Sequence, residues 1–281
     1  MLLLGFHKSI YGIRIIQGIR MDMVLKIIDF HTHYPSGKNP LKRLIKACEE
    51  ASVEKICLHS LGRFGEREDE NTLVEKAFKE YPDLIKGFGF VHLGVDDPNV
   101  IDDLYSRGFT GIKVFKPMKP YDSEDFFPYY SKAEEYRMPI LFHTGAVARD
   151  PVDKEIKATS WYMRPICLDK IARCFPKLIL IGAHLGHPWC DEATLVMHHN
   201  PNVYFDICGG HTFWVALALK RRLRYDADPY RLLYGTDASP ENFLKIRHFW
   251  EVLLPQLGFN REEVKAIFHD NAERIFKSVS H

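Results

Sequence analysis

Hydrophobic positions along this chain follow two alternating rhythms. Short apolar runs rich in β-branched and aliphatic residues give way to stretches with apolar positions three and four apart. The first run, Val24-Leu25-Lys26-Ile27-Ile28, leads into Asp29-Phe30-His31-Thr32-His33. Such runs read as buried strands, and the three-four spacing reads as amphipathic helices. Further strand-like runs end at His59, His92, Phe115, His143, His184, Asp206 and Asp237. Helical spacing appears at Leu41, Leu44, Ile45 and Cys48, then from Leu73 to Tyr81 before Pro82, and from Val100 to Tyr105 before Gly108. It returns from Ser123 to Tyr136, with Pro128 near the first turns, from Pro165 to Phe175, from Asp191 to His199, and through Trp214 and Leu219. Ser239-Pro240-Glu241 reads as a helix start, and Asn260 with Glu263 and Asp270 with Glu273 read as capping boxes.

Eight strand-helix alternations predict parallel strands joined by right-handed crossovers. In a chain of 281 residues they favour a closed (β/α)8 TIM barrel, one domain over residues 23–281. No glycine-rich G-x-G-x-x-G follows the first run, which counts against a dinucleotide-binding sheet. Residues 1–22 carry Leu2-Leu3-Leu4 and several isoleucines without a helical period. They read as an extension to the barrel, with a short element covering its floor as the alternative.

Composition narrows the function. The formal charge is +1, so no bulk field draws nucleic acid or an anionic membrane. No apolar run approaches the roughly 18 residues of a membrane span. The six cysteines form no C-x-x-C pair, which fits a reducing, cytoplasmic setting. The expected partner is a small-molecule substrate.

Functional residues of such a barrel sit at the C-terminal ends of its strands. His31 and His33 share one strand face, roughly 6.6 Å apart along the backbone, and can converge on one ion. Histidine also ends the second, third, fifth and sixth runs, as His59, His92, His143 and His184, and the eighth ends in Asp237. One such histidine is unremarkable as a surface residue. The set is costly to crowd at one mouth unless something coordinates it.

These residues carry a family resemblance. Ile28-Asp29-Phe30-His31-Thr32-His33, Gly111-Ile112-Lys113, Phe142-His143-Thr144-Gly145, Ala183-His184-Leu185-Gly186-His187-Pro188, Pro201-Asn202-Val203-Tyr204-Phe205-Asp206, Gly235-Thr236-Asp237 and Asn271-Ala272-Glu273-Arg274-Ile275-Phe276 occur in order. The sequence resembles the amidohydrolase superfamily of metal-dependent barrels, and within it the amidohydrolase-related branch that includes aminocarboxymuconate-semialdehyde decarboxylase. The resemblance implies that His31, His33 and His143 ligate one divalent cation, with Asp237 as a further ligand or as the proton acceptor from its water. It implies that His184 is an acid/base or electrophilic group. Zn²⁺ is the expected ion, with Mn²⁺, Fe²⁺ or Co²⁺ as alternatives, and no organic cofactor is expected. A carboxylated Lys113 bridging two ions is the binuclear alternative; otherwise Lys113 contacts a substrate anion or pairs with a nearby acid. Asp206 either orients a ligand histidine or caps a helix. His59 could touch substrate, and Trp161, Tyr162 and Arg164 could form a lid with a carboxylate clamp. Three functions stay open: a hydrolase of amide, lactone or ester bonds, a cofactor-free decarboxylase of an aromatic or unsaturated acid, and a non-catalytic metal- or ligand-binding barrel. Resembling proteins are commonly homodimers.

Overall fold

In the computed structural model, which describes residues 25–61, 70–148, 159–209 and 222–279, all eight apolar runs become strands. They are β1 (Ile27–His33), β2 (Val53–His59), β3 (Ile85–Val91), β4 (Gly111–Val114), β5 (Ile140–Phe142), β6 (Leu180–Gly182), β7 (Val203–Asp206) and β8 (Leu232–Leu233). Each pairs in parallel with the next, in the order of the sequence. The Phe30 N–H donates to the Tyr234 carbonyl at 2.9 Å, and the Asp237 N–H to the His31 carbonyl at 2.7 Å, so the segment after β8 returns to β1. The fold is a single-domain (β/α)8 barrel, as the alternation predicts. The expected extension over residues 1–22 and the helix through Trp214 and Leu219 lie outside the described residues.

The helices on the outside include α1 (Pro40–Glu50), α2 (Glu70–Glu80), α3 (Val100–Arg107), α4 (Phe127–Glu135), α5 (Cys167–Cys174), α6 (Cys190–His199) and α7 (Phe243–Gln256). Gly108 closes α3 in the left-handed region at φ 93°, where its N–H meets the Leu104 and Tyr105 carbonyls. Pro128 stands in the first turn of α4, where a missing N–H costs nothing. Two layers of apolar side chains result. One lies between sheet and helices. The other fills the cylinder with Ile28, Phe30, Cys57, Phe88, Leu141, Ile181 and Leu233.

The chain finishes with α8 (Arg261–Lys265), a π-helical turn over Ala266–Asp270, and α9 (Asn271–Val279). The Asn260–Glu263 capping box is present, each side chain meeting the other residue's backbone N–H. The expected box at Asp270 and Glu273 is absent. Its helix start does not exist, because the π-turn carries the helix through; Asp270 pairs with Lys265 and His269 instead. Ala272 and Ile275 of α9 join the inner layer, and Phe276 stacks on Phe30 with ring centroids 5.9 Å apart. The last helix therefore closes the floor of the barrel and leaves the other end for chemistry. No helix among the described residues is long and apolar enough to cross a membrane.

Truncating this plug should cost stability without touching the mouth. Ile275→Ala removes a fully buried side chain and is expected to lower the unfolding free energy by about 2–4 kcal/mol. Urea unfolding monitored by tryptophan fluorescence checks this, and an unchanged midpoint would contradict the packing described.

Candidate metal centre at the barrel mouth

A bulge in β1 builds the site. Between Asp29 and Thr32 the strand advances three residues while β2 advances two, from Ile56 to Leu58. Such an extra residue re-aims the side chains that follow it. Phe30 thus points into the apolar interior, and the next residue, His31, still turns with His33 towards the mouth. The backbone after β8 lies close by: a Cβ on Gly235 would stand 2.8 Å from the Cβ of His31. Only glycine fits there.

The Nε2 atoms of His31 and His33 meet at 3.1 Å. Asp237 Oδ1 lies 3.2 Å from His33 Nε2 and 3.8 Å from His31 Nε2. The ligand atoms of His31, His33 and Asp237 all fall within 4.8 Å of one another. Behind His31, the Nδ1–H donates to Asp206 Oδ2 at 2.8 Å, with both residues buried. Asp206 accepts at that nitrogen, so the proton sits on Nδ1 and the Nε2 lone pair is bare and turned to the mouth. Asp206 also takes the His184 backbone N–H at 2.7 Å.

His184 and Asp237 both lie beyond the paired ends of their strands, with φ values of 60° and 44°. Left-handed backbone costs a non-glycine residue roughly 1 kcal/mol or more and persists only where the surroundings impose it. Here the Asp206 carboxylate fixes one backbone and the His31 carbonyl fixes the other. The His184 Nδ1–H donates to the Cys208 carbonyl at 3.1 Å, which leaves its Nε2 lone pair 3.8 Å from Asp237 Oδ2.

Burial sets the charges. It lowers the pKa of His31 well below the ordinary histidine value, with the Lys113 cation adding to the effect, so the ring is neutral. His59 and His143 are depressed in the same way, also mainly by burial. Burial alone would raise Asp237, but the imidazoles of His31, His33 and His184 hold it well below the usual carboxylate range. Lys113 is 1% exposed. Burial brings its pKa down to about 8, against the pull of Asp237 and Asp206. Its Nζ lies 3.4 Å from His31 Nε2. Asp29, behind the bulge, is pushed up to about 6 by burial, although Thr236 and the His31 N–H hydrogen-bond to it.

The remaining candidates are placed unevenly. The ring of His143 packs 5.0 Å from that of His184, but its Nε2 turns to the Ala146 carbonyl at 3.4 Å, outside the cluster of His31, His33 and Asp237. His59 is buried behind the pair and donates from Nε2 to the Phe30 carbonyl at 2.9 Å. Arg164 is engaged by the chain's own Glu192 through both carboxylate oxygens and lies over the rings of Trp161 and Trp189. Trp161 itself is 60% exposed. Cys208 was not among the sequence candidates, yet its thiol stands 3.1 Å from His31 Nδ1, 2.8 Å from Asp206 Oδ1 and 3.5 Å from His184 Nδ1. Nothing in the local sequence signalled this, since a lone cysteine has no spacing partner.

A family model described as Amidohydrolase matches residues 63–277. The chain belongs to the amidohydrolase family. The resemblance read from the motifs is thereby borne out. The histidine pair of β1 lies upstream of the matched segment. No curated protein matches this amidohydrolase by sequence. Among solved structures, an uncharacterised TIM-barrel protein from Bordetella bronchiseptica aligns at TM-score 0.68 and 20% identity, over 92% of this chain and 100% of that one. The 5-carboxyvanillate decarboxylase of Sphingomonas paucimobilis aligns at TM-score 0.64 and 13% identity, over 90% and 99%. The 5-carboxyvanillate decarboxylase of Novosphingobium aromaticivorans, complexed with manganese and 4-hydroxy-3-methoxy-5-nitrobenzoic acid, aligns at 0.61 and 18%, over 84% and 79%. At these identities the likeness is one of fold.

The depressed histidines make a prediction for the metal-stripped protein. His31, His59 and His143 are neutral when folded and take up protons near pH 6.5 when unfolded. The unfolded state then binds more protons, so stability is present above that pH and is lost as the pH falls through it. Asp29 opposes this between its unfolded value of 3.8 and its folded value of about 6, because the folded state holds its proton. The net uptake on unfolding is about two protons, or up to about 3 kcal/mol per pH unit near pH 5. Urea midpoints in chelator at pH 7.5 and 5.5 should differ sharply; equal midpoints would refute the neutral cluster.

Proposed function

We propose that this amidohydrolase is a metal-dependent hydrolase that cleaves an amide, lactone or ester bond of a small molecule at the barrel mouth. The observation that carries this reading is the convergence of the His31 and His33 Nε2 atoms with the Asp237 carboxylate, backed by the buried His31–Asp206 hydrogen bond. Two imidazole Nε2 atoms at 3.1 Å need a proton or a cation between them. The donor set of two imidazole nitrogens and a carboxylate oxygen suits Zn²⁺ or Mn²⁺, and a carboxylate behind the histidine is the usual support for such a ligand. The residues therefore fit a divalent ion. His143 would join them after a turn of its ring away from Ala146.

His31, His33 and Asp237 would hold a divalent cation, which would supply Lewis acidity toward the scissile carbonyl and acidify a bound water. Asp237, ionised and turned into the mouth, accepts the proton of the attacking water and returns it to the leaving group. Its left-handed backbone, held by the His31 carbonyl, keeps the carboxylate beside the histidines through both transfers. His184 presents Nε2 to the same space and stabilises the oxyanion when protonated. Lys113 contributes a buried positive charge that favours an anionic group on the substrate.

That cation also favours the second reading, a cofactor-free decarboxylase of an unsaturated or aromatic acid. The fold likeness to two 5-carboxyvanillate decarboxylases, one of them complexed with manganese, points the same way. In this case Lys113 pairs with the departing carboxylate and Asp237 handles the proton delivered to carbon.

Metal analysis of the purified protein should find about one Zn²⁺ or Mn²⁺ per chain; none would end the proposal, and two would support a carboxylated Lys113. A panel of lactones, amides and aromatic acids, followed by acid release on one side and CO₂ release on the other, separates the two reactions. With any active substrate, Asp237→Asn should lower kcat by at least about 100-fold with the metal retained or weakened. Full activity in that variant would remove Asp237 from the proton transfers.

A further inference from the structure

Cys208 is buried in the last turn of described chain after β7, and three of its polar atoms reach the site. Its backbone N–H donates to Asp206 Oδ1 at 3.3 Å and its carbonyl accepts from His184 Nδ1 at 3.1 Å. Its thiol donates to Asp206 Oδ1 at 2.8 Å. The same sulfur lies 3.1 Å from His31 Nδ1 and 3.5 Å from His184 Nδ1. One residue thus touches both histidines on the side away from the mouth, together with the carboxylate that orients His31.

We propose that Cys208 is a positioning residue whose thiol holds the Asp206 carboxylate that sets the tautomer of His31, while its carbonyl sets that of His184, and that the thiol so tunes the cation affinity of the mouth. The argument runs through donors and acceptors. The Cys208 carbonyl can only accept, so His184 carries its proton on Nδ1 and leaves Nε2 bare. Asp206, as a carboxylate, can only accept, so His31 does the same. Asp206 Oδ1 collects the His184 N–H, the Cys208 N–H and the thiol, while Oδ2 is kept for His31. A carboxylate satisfied on one oxygen stays fixed, with its second oxygen aimed at a single imidazole. Without the thiol, Oδ1 loses a donor and His31 Nδ1 loses the sulfur beside it. The carboxylate keeps its backbone donors but loses its one side-chain donor on Oδ1, so its aim at His31 loosens, and with it the ring that presents Nε2 to the cation. Partners of this kind are worth about 10–100-fold in metal affinity.

This inference rests on His31 serving as a ligand, and the test separates the two. Co²⁺ is titrated into the metal-stripped full chain, with the visible d–d spectrum as the readout. Cys208→Ala should weaken binding about tenfold and shift the band positions, because the backbone groups of residue 208 remain and only the thiol is lost. Cys208→Ser restores an O–H donor and should return the dissociation constant to within about threefold of the wild type. Cys57→Ala, a change of the same size in the barrel interior, should leave both readouts unchanged. If the wild type binds no Co²⁺, the metal centre itself fails. If the wild type binds and Cys208→Ala binds equally with the same spectrum, or if Cys208→Ser is as weak as Cys208→Ala, the positioning role of the thiol is overturned.

Discussion

The buried hydrogen bond between His31 and Asp206 is the constraint on which the mouth of this barrel depends. It joins β1 to β7 past the end of β8 at 2.8 Å, with neither partner open to solvent. A carboxylate in such a place is tolerable only when its oxygens are filled by donors. Here His31, the His184 backbone and Cys208 fill them. The demand that this acid be satisfied orients one histidine, pins the unusual backbone of another and orders the segment beyond β7. The chemical arrangement and the stability of the strand ends therefore have a common cause.

The sheet supplies the rest of the frame. Strands stop where side chains must leave the ladder, so β5, β6 and β8 are short and His143, His184 and Asp237 fall just beyond them. The bulge in β1 does the same job inside a strand. It lets Phe30 belong to the hydrophobic interior while its neighbour belongs to the mouth. Apolar filling below and polar convergence above are thus separated by one residue, and this keeps the depressed histidines in a desolvated setting without exposing the core.

Much of this was legible in the sequence. The alternation of apolar runs and helical spacing named the eight strands, and the i, i+2 rule placed His31 beside His33. Asp206 could be flagged because it ended a strand. Cys208 could not be, because a lone cysteine with no spacing partner carries no sign of three polar contacts made through folding. Arg164 looked free for a substrate because its partner, Glu192, is 28 positions away on α6. Asp270 imitated a helix cap because residue types at caps are local, whereas the π-turn that overrides them is fixed by how Ile267 and Phe268 pack into the core. His143 shows the same limit: its place at a strand end is local, but the direction of its ring depends on a loop.

The stopper formed by α9 bears on how the molecule comes into being. Ala272, Ile275 and Phe276 fill the bottom of a cylinder whose eight staves all precede them in the polypeptide. During synthesis those staves emerge first, and among the described residues this helix packs against the bottom of the inner layer only afterwards. The sealing of that layer by α9 is therefore a late event in the making of the molecule.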